Sequence, residues 1–402
     1  MRILFVHQNS PGQFRHLAPY LAQQPGNQVV FLGEGLRSGA GKIRWLGYKA
    51  PSSAGTQTHP YLRRAEMSVR RGQAVARACL ALQREGFEPD LVIGHPGWGE
   101  TMFLRDILPR TPTLSYCELF YRSEGQDTDY IPETRIDLDG RCRIRAWNAD
   151  LLTALNAMDR GISPTQWQRD QHPSVFHDRI AVIHDGVDVS EVAPRKTARF
   201  DVPNGPSFTS GDEVITFVAR DLEPVRGFVM LMKGLPELLS RRANAHVVIC
   251  GGDGVSYGRP PPGDRNWREA LLNQTSLDRT RVHFVGKLGR PDYLNLLQVS
   301  ALHLYLSVPF VLSWSCVEAL ASGCLLLGSD VAPVREVVED GVNGFLVDAR
   351  DATSLARRAA DLLAKRTSLS GVRAAARQRA VKQFELKQCL AQQSNLLRQL
   401  VS

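Results

Sequence analysis

The sequence predicts an α/β protein built from two doubly wound parallel sheets. Short apolar segments alternate with helical patterns through most of the 402 residues. The apolar segments are almost continuously hydrophobic, which is typical of parallel strands covered by helices on both faces. The alternation stops over residues 191–212, which are rich in Pro, Gly and Ser, and then restarts. Two domains are therefore expected.

The first series contains six predicted strands, at residues 2–7, 28–33, 90–95, 111–117, 160–163 and 179–186. Helical patterns cover residues 13–24 and 61–85. The second series contains five predicted strands, at residues 213–220, 245–252, 281–287, 301–307 and 324–330, with a helix at 228–241. We expect one domain over 1–190, a linker without strand or helical periodicity over 191–212, and a second domain over 213–380. A last helix, 381–402, is expected to pack back toward the first domain.

Composition narrows the class of protein. The chain is 43% hydrophobic and 22% charged, which suits two globular cores, and no stretch approaches the roughly 18 apolar residues of a membrane span. The start, "MRILFVHQN", reads as a first strand and not as a signal, so a cytosolic location is expected. The seven cysteines include no CxxC pair, which predicts buried free thiols and no metal site.

The net charge of +8 favours anionic partners, which include nucleic acid, anionic lipid and phosphorylated small molecules. We find no nucleic-acid motif, and no nucleic-acid partner is expected. Residues 61–85 form a predicted helix with six arginines and only two glutamates. Such a helix suits the anionic inner face of a membrane, although an ordinary solvated surface helix fits the pattern equally well.

Three loops at predicted strand ends of the first series carry candidate ligand-binding residues. Ligands of open parallel sheets bind beyond the carboxyl ends of the strands. Gly12 in "HQNSPGQFRH" precedes a predicted helix, although an ordinary strand-to-helix turn explains it as well. His95 and Trp98 lie in "GHPGWGE", where the alternative is a buried histidine with satisfied hydrogen bonds. Glu118 and Tyr121 in "YCELFYRSEGQD" suit an acceptor with sugar hydroxyls.

Two segments of the second series suit a nucleotide. Arg220 and Arg226 in "ARDLEPVRGF" flank the end of a strand and the start of a helix, where two guanidiniums form a diphosphate clamp unless they are simply solvated. Glu318 is the single acid in "SVPFVLSWSCVEALASGC". It completes a capping box with Ser315, accepts hydrogen bonds from a ligand, or does both, since Ser315 can cap the helix while Glu318 turns outward.

These segments, together with "HDGVD", "ICGGDG", "VHFVGKLGR" and "VEALASGCLLLGSDVAPVREVVEDGVNGFLVD", occur in an order and at spacings that resemble the retaining glycosyltransferases of family four, the glycosyl transferases group 1. The resemblance covers most of residues 180–350 and, more loosely, the N-terminal half. It implies the GT-B fold, in which two Rossmann-like domains face each other across a cleft. It also implies sugar transfer from a nucleotide-diphosphate sugar to a hydroxyl of a glycan or lipid-linked acceptor, as in surface polysaccharide or glycoconjugate synthesis. No cofactor and no metal are implied.

The resemblance assigns roles by position. His95, Arg220 and Arg226 stand at the reaction centre, both arginines grip the donor diphosphate, and Glu318 holds the ribose hydroxyls. The full donor-binding set is Gly12, Arg220, Arg226, Gly252, Lys287, Leu288, Ser313, Trp314 and Glu318, with the base read near Lys287 and Leu288. The acceptor-side residues are Trp98, Glu118 and Tyr121.

Arg226 stands where the family more often has a lysine, and the departure that matters most is at position 310. The family has a glutamate eight residues before Glu318, which contacts hydroxyls of the transferred sugar, and this chain has Phe310 there. The identity of the sugar is therefore open, and a non-catalytic protein that binds nucleotide-sugars is an alternative. A nicotinamide-dependent oxidoreductase is disfavoured, because the first strand is not followed by G-x-G-x-x-G.

Overall fold

The computed structural model describes residues 1–35, 41–49, 51–263 and 266–401. The strands are β1 (Arg2–Val6), β2 (Gln28–Glu34), β3 (Ile43–Tyr48), β4 (Leu91–Gly94), β5 (Thr113–Tyr116), β6 (Arg160–Ser163), β7 (Ile180–Val182), β8 (Arg199–Asp201), β9 (Ser207–Thr209), β10 (Val214–Asp221), β11 (His246–Gly252), β12 (Val282–Gly286), β13 (Leu302–Tyr305), β14 (Leu326–Ser329) and β15 (Phe345–Val347).

The helices are α1 (Leu17–Gln23), α2 (Arg63–Arg84), α3 (Leu104–Ile107), α4 (Leu138–Ala157), α5 (Gln166–Gln171), α6 (Phe228–Arg241), α7 (Trp267–Gln274), α8 (Arg290–Val299), α9 (Trp314–Ala321), α10 (Ala332–Arg335), α11 (Ala352–Ala364), α12 (Ser370–Phe384) and α13 (Leu386–Val401). In the described part of the chain, none of them combines the length and the apolar character needed to cross a bilayer.

The chain divides into two compact units. Unit 1 comprises residues 1–123, 136–186 and 386–402, and unit 2 comprises residues 124–135 and 187–385. Two segments thus belong to a different unit from their sequence neighbours: residues 124–135 belong to unit 2, and the C-terminal helix α13 belongs to unit 1.

Unit 1 is built on a parallel seven-stranded sheet with the order β3-β2-β1-β4-β5-β6-β7. Its interior strand β1 is apolar and buried from Ile3 to Val6, because both faces of the sheet are covered there. Ile3 and Phe5 pack into one core cluster that also contains residues of α1 and α13, and Leu4 and Val6 pack into a second cluster with residues of α2. This arrangement explains the continuous hydrophobic pattern of the strand.

Unit 2 is built on a parallel six-stranded sheet with the order β12-β11-β10-β13-β14-β15. Its largest core cluster lies between strand residues such as Phe217 and the apolar faces of α6 and α11. Helix α9 is buried from Ser315 to Ala321. Because β10 and β13 are adjacent and parallel, the loops that follow them emerge at the same edge of the sheet.

All eleven strands predicted from the sequence are present, and the helix predicted at 228–241 is α6. The expectation that residues 191–212 contain no strand is wrong, because β8 and β9 pair there as an antiparallel hairpin with Phe200 opposite Phe208. The helix predicted over 13–24 is shorter than expected. A 3₁₀ turn covers Gly12–Phe14, and α1 begins at Leu17. Six cysteines are buried as free thiols, and Cys142 is exposed.

Candidate functional site

In unit 1, four polar side chains form a chain of contacts at the carboxyl ends of β1, β4 and β5. His7 Nδ1 accepts the N–H of Asn9, and His7 Nε2 lies 2.6 Å from the Gln13 Oε1 that accepts its proton. Gln13 Nε2 donates to Glu118 Oε1 at 2.8 Å. The second Glu118 oxygen lies 3.3 Å from His95 Nε2, without the alignment of a hydrogen bond. Sequence reasoning selected His95 and Glu118 but missed His7 and Gln13.

His95 is buried, and both of its ring nitrogens face protein groups. Its Nδ1 accepts the N–H of Gly97 at 3.1 Å, which caps the short 3₁₀ turn Pro96–Trp98. Its Nε2 faces the Glu118 carboxylate. Burial alone would raise the pKa of Glu118, but the contacts with His95 and Gln13 outweigh burial and hold that pKa below its ordinary value. The structure therefore places an ionised carboxylate beside the imidazole.

Aromatic rings pack around this imidazole. The Trp98 ring lies 4.7 Å from the His95 ring, and Tyr116 is stacked on His95 at 5.5 Å. The Tyr116 hydroxyl donates to both oxygens of Asp185, at 3.0 and 2.9 Å. Gly12 has φ +53°, and a Cβ there would lie 2.3 Å from the His7 ring, so the close approach of that ring requires a glycine.

Tyr121 belongs to a different cluster from the other predicted acceptor-side residues. Its ring and that of Trp147 lie 5.0 and 5.2 Å from the Arg64 guanidinium. Arg64 in turn donates to the carbonyl of Gly97 at 2.8 Å. Arg64 thus links Tyr121 to the loop that carries His95. Among the contacts found in the described residues, none joins Tyr121 directly to His95.

In unit 2, Arg220 and Arg226 line a small pocket of about 60 Å³ beyond the ends of β10 and β13. Ser307 and Ser313 also line it. Arg226 is half-buried and donates to the carbonyl of Val311 at 3.3 Å, whereas Arg220 is exposed. Two guanidiniums and two hydroxyls at a strand end suit an anionic ligand with several oxygen acceptors.

The predicted capping box of Ser315 and Glu318 is wrong. Helix α9 begins at Trp314, and its cap is Ser313, whose hydroxyl oxygen accepts the N–H of Ser315 at 3.4 Å. The N–H of Ser313 itself donates to the Tyr305 hydroxyl at 2.8 Å. Ser315 therefore lies one residue inside the helix, and Glu318 is free of any capping role.

The Glu318 carboxylate is held by two residues of α8. Arg290 Nη1 donates to Oε1, and the Tyr293 hydroxyl donates to Oε2, each at 2.6 Å. Arg290 also forms an ion pair with Glu191 at 2.7 Å. Burial, and then the negative charge of Glu318, raise the pKa of Tyr293 well above its ordinary value. Sequence reasoning missed both partners, because nothing in a single sequence links residues 290 and 293 to 318.

Gly252, Lys287 and Leu288 meet at the ends of β11 and β12. Lys287 Nζ forms an ion pair with Asp221 at 3.0 Å, and a Cβ on Gly252 would lie 2.4 Å from Lys287 Cε. The glycine therefore makes room for the lysine chain. Leu288 is partly buried against the core cluster that also contains β8 and β9.

The segment of residues 124–135 packs on the turn that carries Arg226. Glu133 of this segment forms an ion pair with Lys233 at 2.7 Å. Burial raises the pKa of Asp127 to about 6, while Arg226 acts on it in the opposite direction. Within the ranges that the structure describes, no group of three or more His, Cys, Asp or Glu side chains is arranged to hold a metal ion.

Sequence profiles of two protein families match the chain. Residues 25–192 match the "Glycosyl transferase family 4 group", and residues 202–381 match the "Glycosyl transferases group 1". Among curated proteins, D-inositol 3-phosphate glycosyltransferase from Corynebacterium efficiens is 28% identical over 295 residues, which cover 70% of this chain and 64% of that protein. The enzyme of the same name from Mycolicibacterium vanbaalenii is 31% identical over 229 residues, which cover 52% and 47%. The chain thus spans about half to two thirds of the length of these relatives.

Solved structures resemble the whole chain. Sucrose-phosphate synthase from Thermosynechococcus elongatus has a TM-score of 0.74 at 15% identity, covering 100% of this chain and 99% of that one. HepE from Anabaena, in complex with UDP-glucose, has a TM-score of 0.68 at 16% identity, covering 99% and 100%. At these identities the likeness concerns the fold alone.

Proposed function

The chain belongs to the glycosyl transferases of group 1 and has their GT-B fold, and we propose that it transfers a sugar from a nucleotide-diphosphate sugar to a hydroxyl acceptor. The observation that carries this proposal is the pocket lined by Arg220 and Arg226 at the end of β10. A donor diphosphate carries the charge and the acceptor oxygens that this pair suits. The UDP-glucose bound in the HepE structure supports a donor of this class.

In the proposed reaction, the bond between the anomeric carbon and the diphosphate breaks while the acceptor oxygen bonds to the same face. Bonding on the same face retains the configuration at the anomeric carbon, and the acceptor proton passes to the departing phosphate oxygen. Negative charge then grows on the diphosphate, and Arg220 and Arg226 would stabilise it, each contributing about 10²–10³ in rate. Glu318 would accept the ribose hydroxyls with the lone pairs that Arg290 and Tyr293 leave available.

Unit 1 would hold the acceptor. His95 is poorly suited to act as a general base, because its Nδ1 accepts the Gly97 N–H and its Nε2 faces Glu118. We therefore assign His95 and Glu118 to orienting the acceptor or the sugar. The proposed chemistry uses only arginine and carboxylate side chains and assigns no role to a metal or another cofactor. Metal independence stays a prediction.

A lipid-linked acceptor at an anionic membrane is part of the proposal, as in surface polysaccharide synthesis. Three arginines of α2 are engaged within unit 1: Arg64 with Gly97, Arg70 with Glu66, and Arg71 with Glu34. The other three arginines of α2 are exposed: Arg63, Arg77 and Arg84. Two large apolar side chains of the same helix, Val69 and Leu80, are exposed as well and lie at helical spacing. Arginines beside exposed apolar residues suit an anionic interface. Vesicles with anionic lipid should retain the protein at low salt, and neutral vesicles should not.

Phe310 favours one alternative, a protein that binds nucleotide-sugars without transferring them. A transferase releases nucleoside diphosphate as it turns over, whereas a protein that only binds nucleotide-sugars does not. Incubation with UDP- and GDP-sugars and a panel of glycan acceptors should release nucleoside diphosphate in the wild type, and an Arg226→Ala variant should release about 10²–10³ times less. Tight binding with no release in any combination would favour the binding protein.

A further inference from the structure

Position 310 presents an aromatic ring and not a hydrogen-bond acceptor. The Phe310 ring is only 3% exposed. It lies 4.8 Å from the ring of Tyr257, edge to face, and 5.4 Å from the Arg226 guanidinium. A side chain so placed accepts no hydrogen bond from a sugar hydroxyl. Because the Phe310 ring is also buried, direct contact with the sugar at this place must come from a neighbour of Phe310.

Tyr257 is that neighbour, and it lies against both arginines of the donor pocket. Its ring centroid is 5.2 Å from the Arg226 guanidinium and 6.0 Å from that of Arg220, both within the range of cation–π attraction. The residue is 36% exposed. One aromatic ring thus borders the two groups proposed to hold the diphosphate, with Phe310 packed against it.

The loop that carries Tyr257 is held in place by a buried carboxylate. Glu223 is 0% exposed, and its Oε2 accepts the backbone N–H groups of Ser256, Tyr257 and Gly258 at 3.3, 3.1 and 2.9 Å. The Ser256 hydroxyl also donates to Asp221. Three backbone N–H groups of the loop converge on this one buried oxygen, so the loop has a defined conformation and the ring a defined place.

We propose that Tyr257 contacts the transferred sugar of the donor, with Phe310 supporting the ring and Glu223 positioning the loop. This inference rests on the proposed function, in which Arg220 and Arg226 hold the diphosphate. The sugar is bonded directly to that diphosphate, so its ring lies beside the arginine pair. An aromatic ring at this point packs on the C–H face of a sugar, and Phe310 behind it stands where the family pattern has the carboxylate that contacts sugar hydroxyls.

This replacement indicates the class of sugar. A site built to hydrogen-bond a hydroxyl rejects an analogue that lacks it by about 10⁴–10⁵, whereas an apolar site discriminates by only about 10–200-fold. With Phe310 and Tyr257 in place of a carboxylate, the donor site takes deoxyhexosyl nucleotides as well as hexosyl ones. Discrimination between the two should stay within the smaller range.

The test is calorimetry with UDP, UDP-glucose and UDP-4-deoxyglucose, and with GDP, GDP-mannose and GDP-4-deoxymannose as the guanosine series. The quantity of interest is the ratio of the Kd of the free nucleotide to that of its sugar conjugate. Tyr257→Ala should reduce this ratio about tenfold, and Tyr257→Phe, which keeps the ring, should leave it within about threefold. Glu223→Gln should lower the ratio less than Tyr257→Ala does, with the affinity for the free nucleotide retained.

The outcomes separate the two proposals. If the wild type binds no nucleotide, the proposed function fails and this inference fails with it. If the nucleotides bind but Tyr257→Ala leaves the ratio unchanged, or the wild type rejects the deoxy donor by about 10⁴, the inference alone is wrong. Thermal unfolding of each variant shows whether it is folded. Because Tyr257 is 36% exposed and outside the buried core, the alanine variant should fold.

Discussion

Replacing Glu318 tests whether its carboxylate binds ribose or only stabilises unit 2. The side chain is 6% exposed, and its partner Arg290 is 37% exposed. Removing one partner of a fully buried ion pair costs about 3–5 kcal/mol. Because Arg290 is partly solvated and keeps its pair with Glu191, we expect about 2 kcal/mol for Glu318→Ala. At about 2–4 °C per kcal/mol, Tm should fall by about 4–8 °C.

Glu318→Gln distinguishes the two roles better than Glu318→Ala, since the amide keeps the shape of the side chain and one acceptor oxygen. Its stability should fall by about 1 kcal/mol. A ribose hydroxyl that donates to a carboxylate contributes about 1.5–3 kcal/mol, so the wild type should bind UDP about 10- to 100-fold more tightly than 2′-deoxy-UDP. In Glu318→Gln the amide oxygen still accepts a neutral hydrogen bond of about 0.5–1.5 kcal/mol, so this preference should shrink to about 2- to 12-fold. Calorimetry measures both affinities, with GDP and 2′-deoxy-GDP as the second pair.

Tyr293→Phe is the matched control. It removes the hydrogen bond from the phenol to Glu318 but keeps the carboxylate, so it should lower Tm and preserve the preference for ribose. If Glu318→Gln discriminates between the ribo- and deoxynucleotides as the wild type does, Glu318 has only a structural role and the reasoning is refuted.

Three further predictions concern other sites. Arg226→Ala should weaken UDP or GDP binding about 10- to 100-fold by calorimetry, and an unchanged Kd would remove Arg226 from the donor site. Tyr116→Phe should lower the unfolding free energy by about 1–3 kcal/mol in urea, because it takes a hydrogen-bond donor from buried Asp185; a loss below about 0.5 kcal/mol would contradict this. Burial raises the pKa of Asp127 to about 6 from 3.8, so the stability contributed by its neutral form is complete below about pH 4 and is lost as the pH rises through about 6. The Tm of Asp127→Asn should therefore exceed that of the wild type more at pH 7 than at pH 4, and a pH-independent difference would be contrary to the assignment.

The parallel sheets were predictable because each central strand is covered on both faces and reads as a continuous apolar run. Strands β8 and β9 were not, since three residues each are too few to show a periodicity and their pairing depends on the turn between them. The cap residue of α9 was ambiguous for a related reason. Both Ser313 and Ser315 are good cap residues, and only the backbone conformation selects between them.

The candidate site was predictable where a residue lies at a strand end, as Arg220 and His95 do. The partners of the predicted site residues were not predictable. Arg290 lies 28 residues before Glu318, and Gln13 lies 105 residues before Glu118. Such pairs form because strand order brings distant loops together, and a single sequence contains no signal of which loops meet.

The most direct test of the account is calorimetry of UDP, GDP and their sugar conjugates against the wild type and Arg226→Ala. We expect one nucleotide series to bind to the wild type, and Arg226→Ala to bind it about 10- to 100-fold more weakly. Absence of binding to the folded wild type by every member of both series would contradict the assignment of the arginine pocket to a nucleotide-sugar.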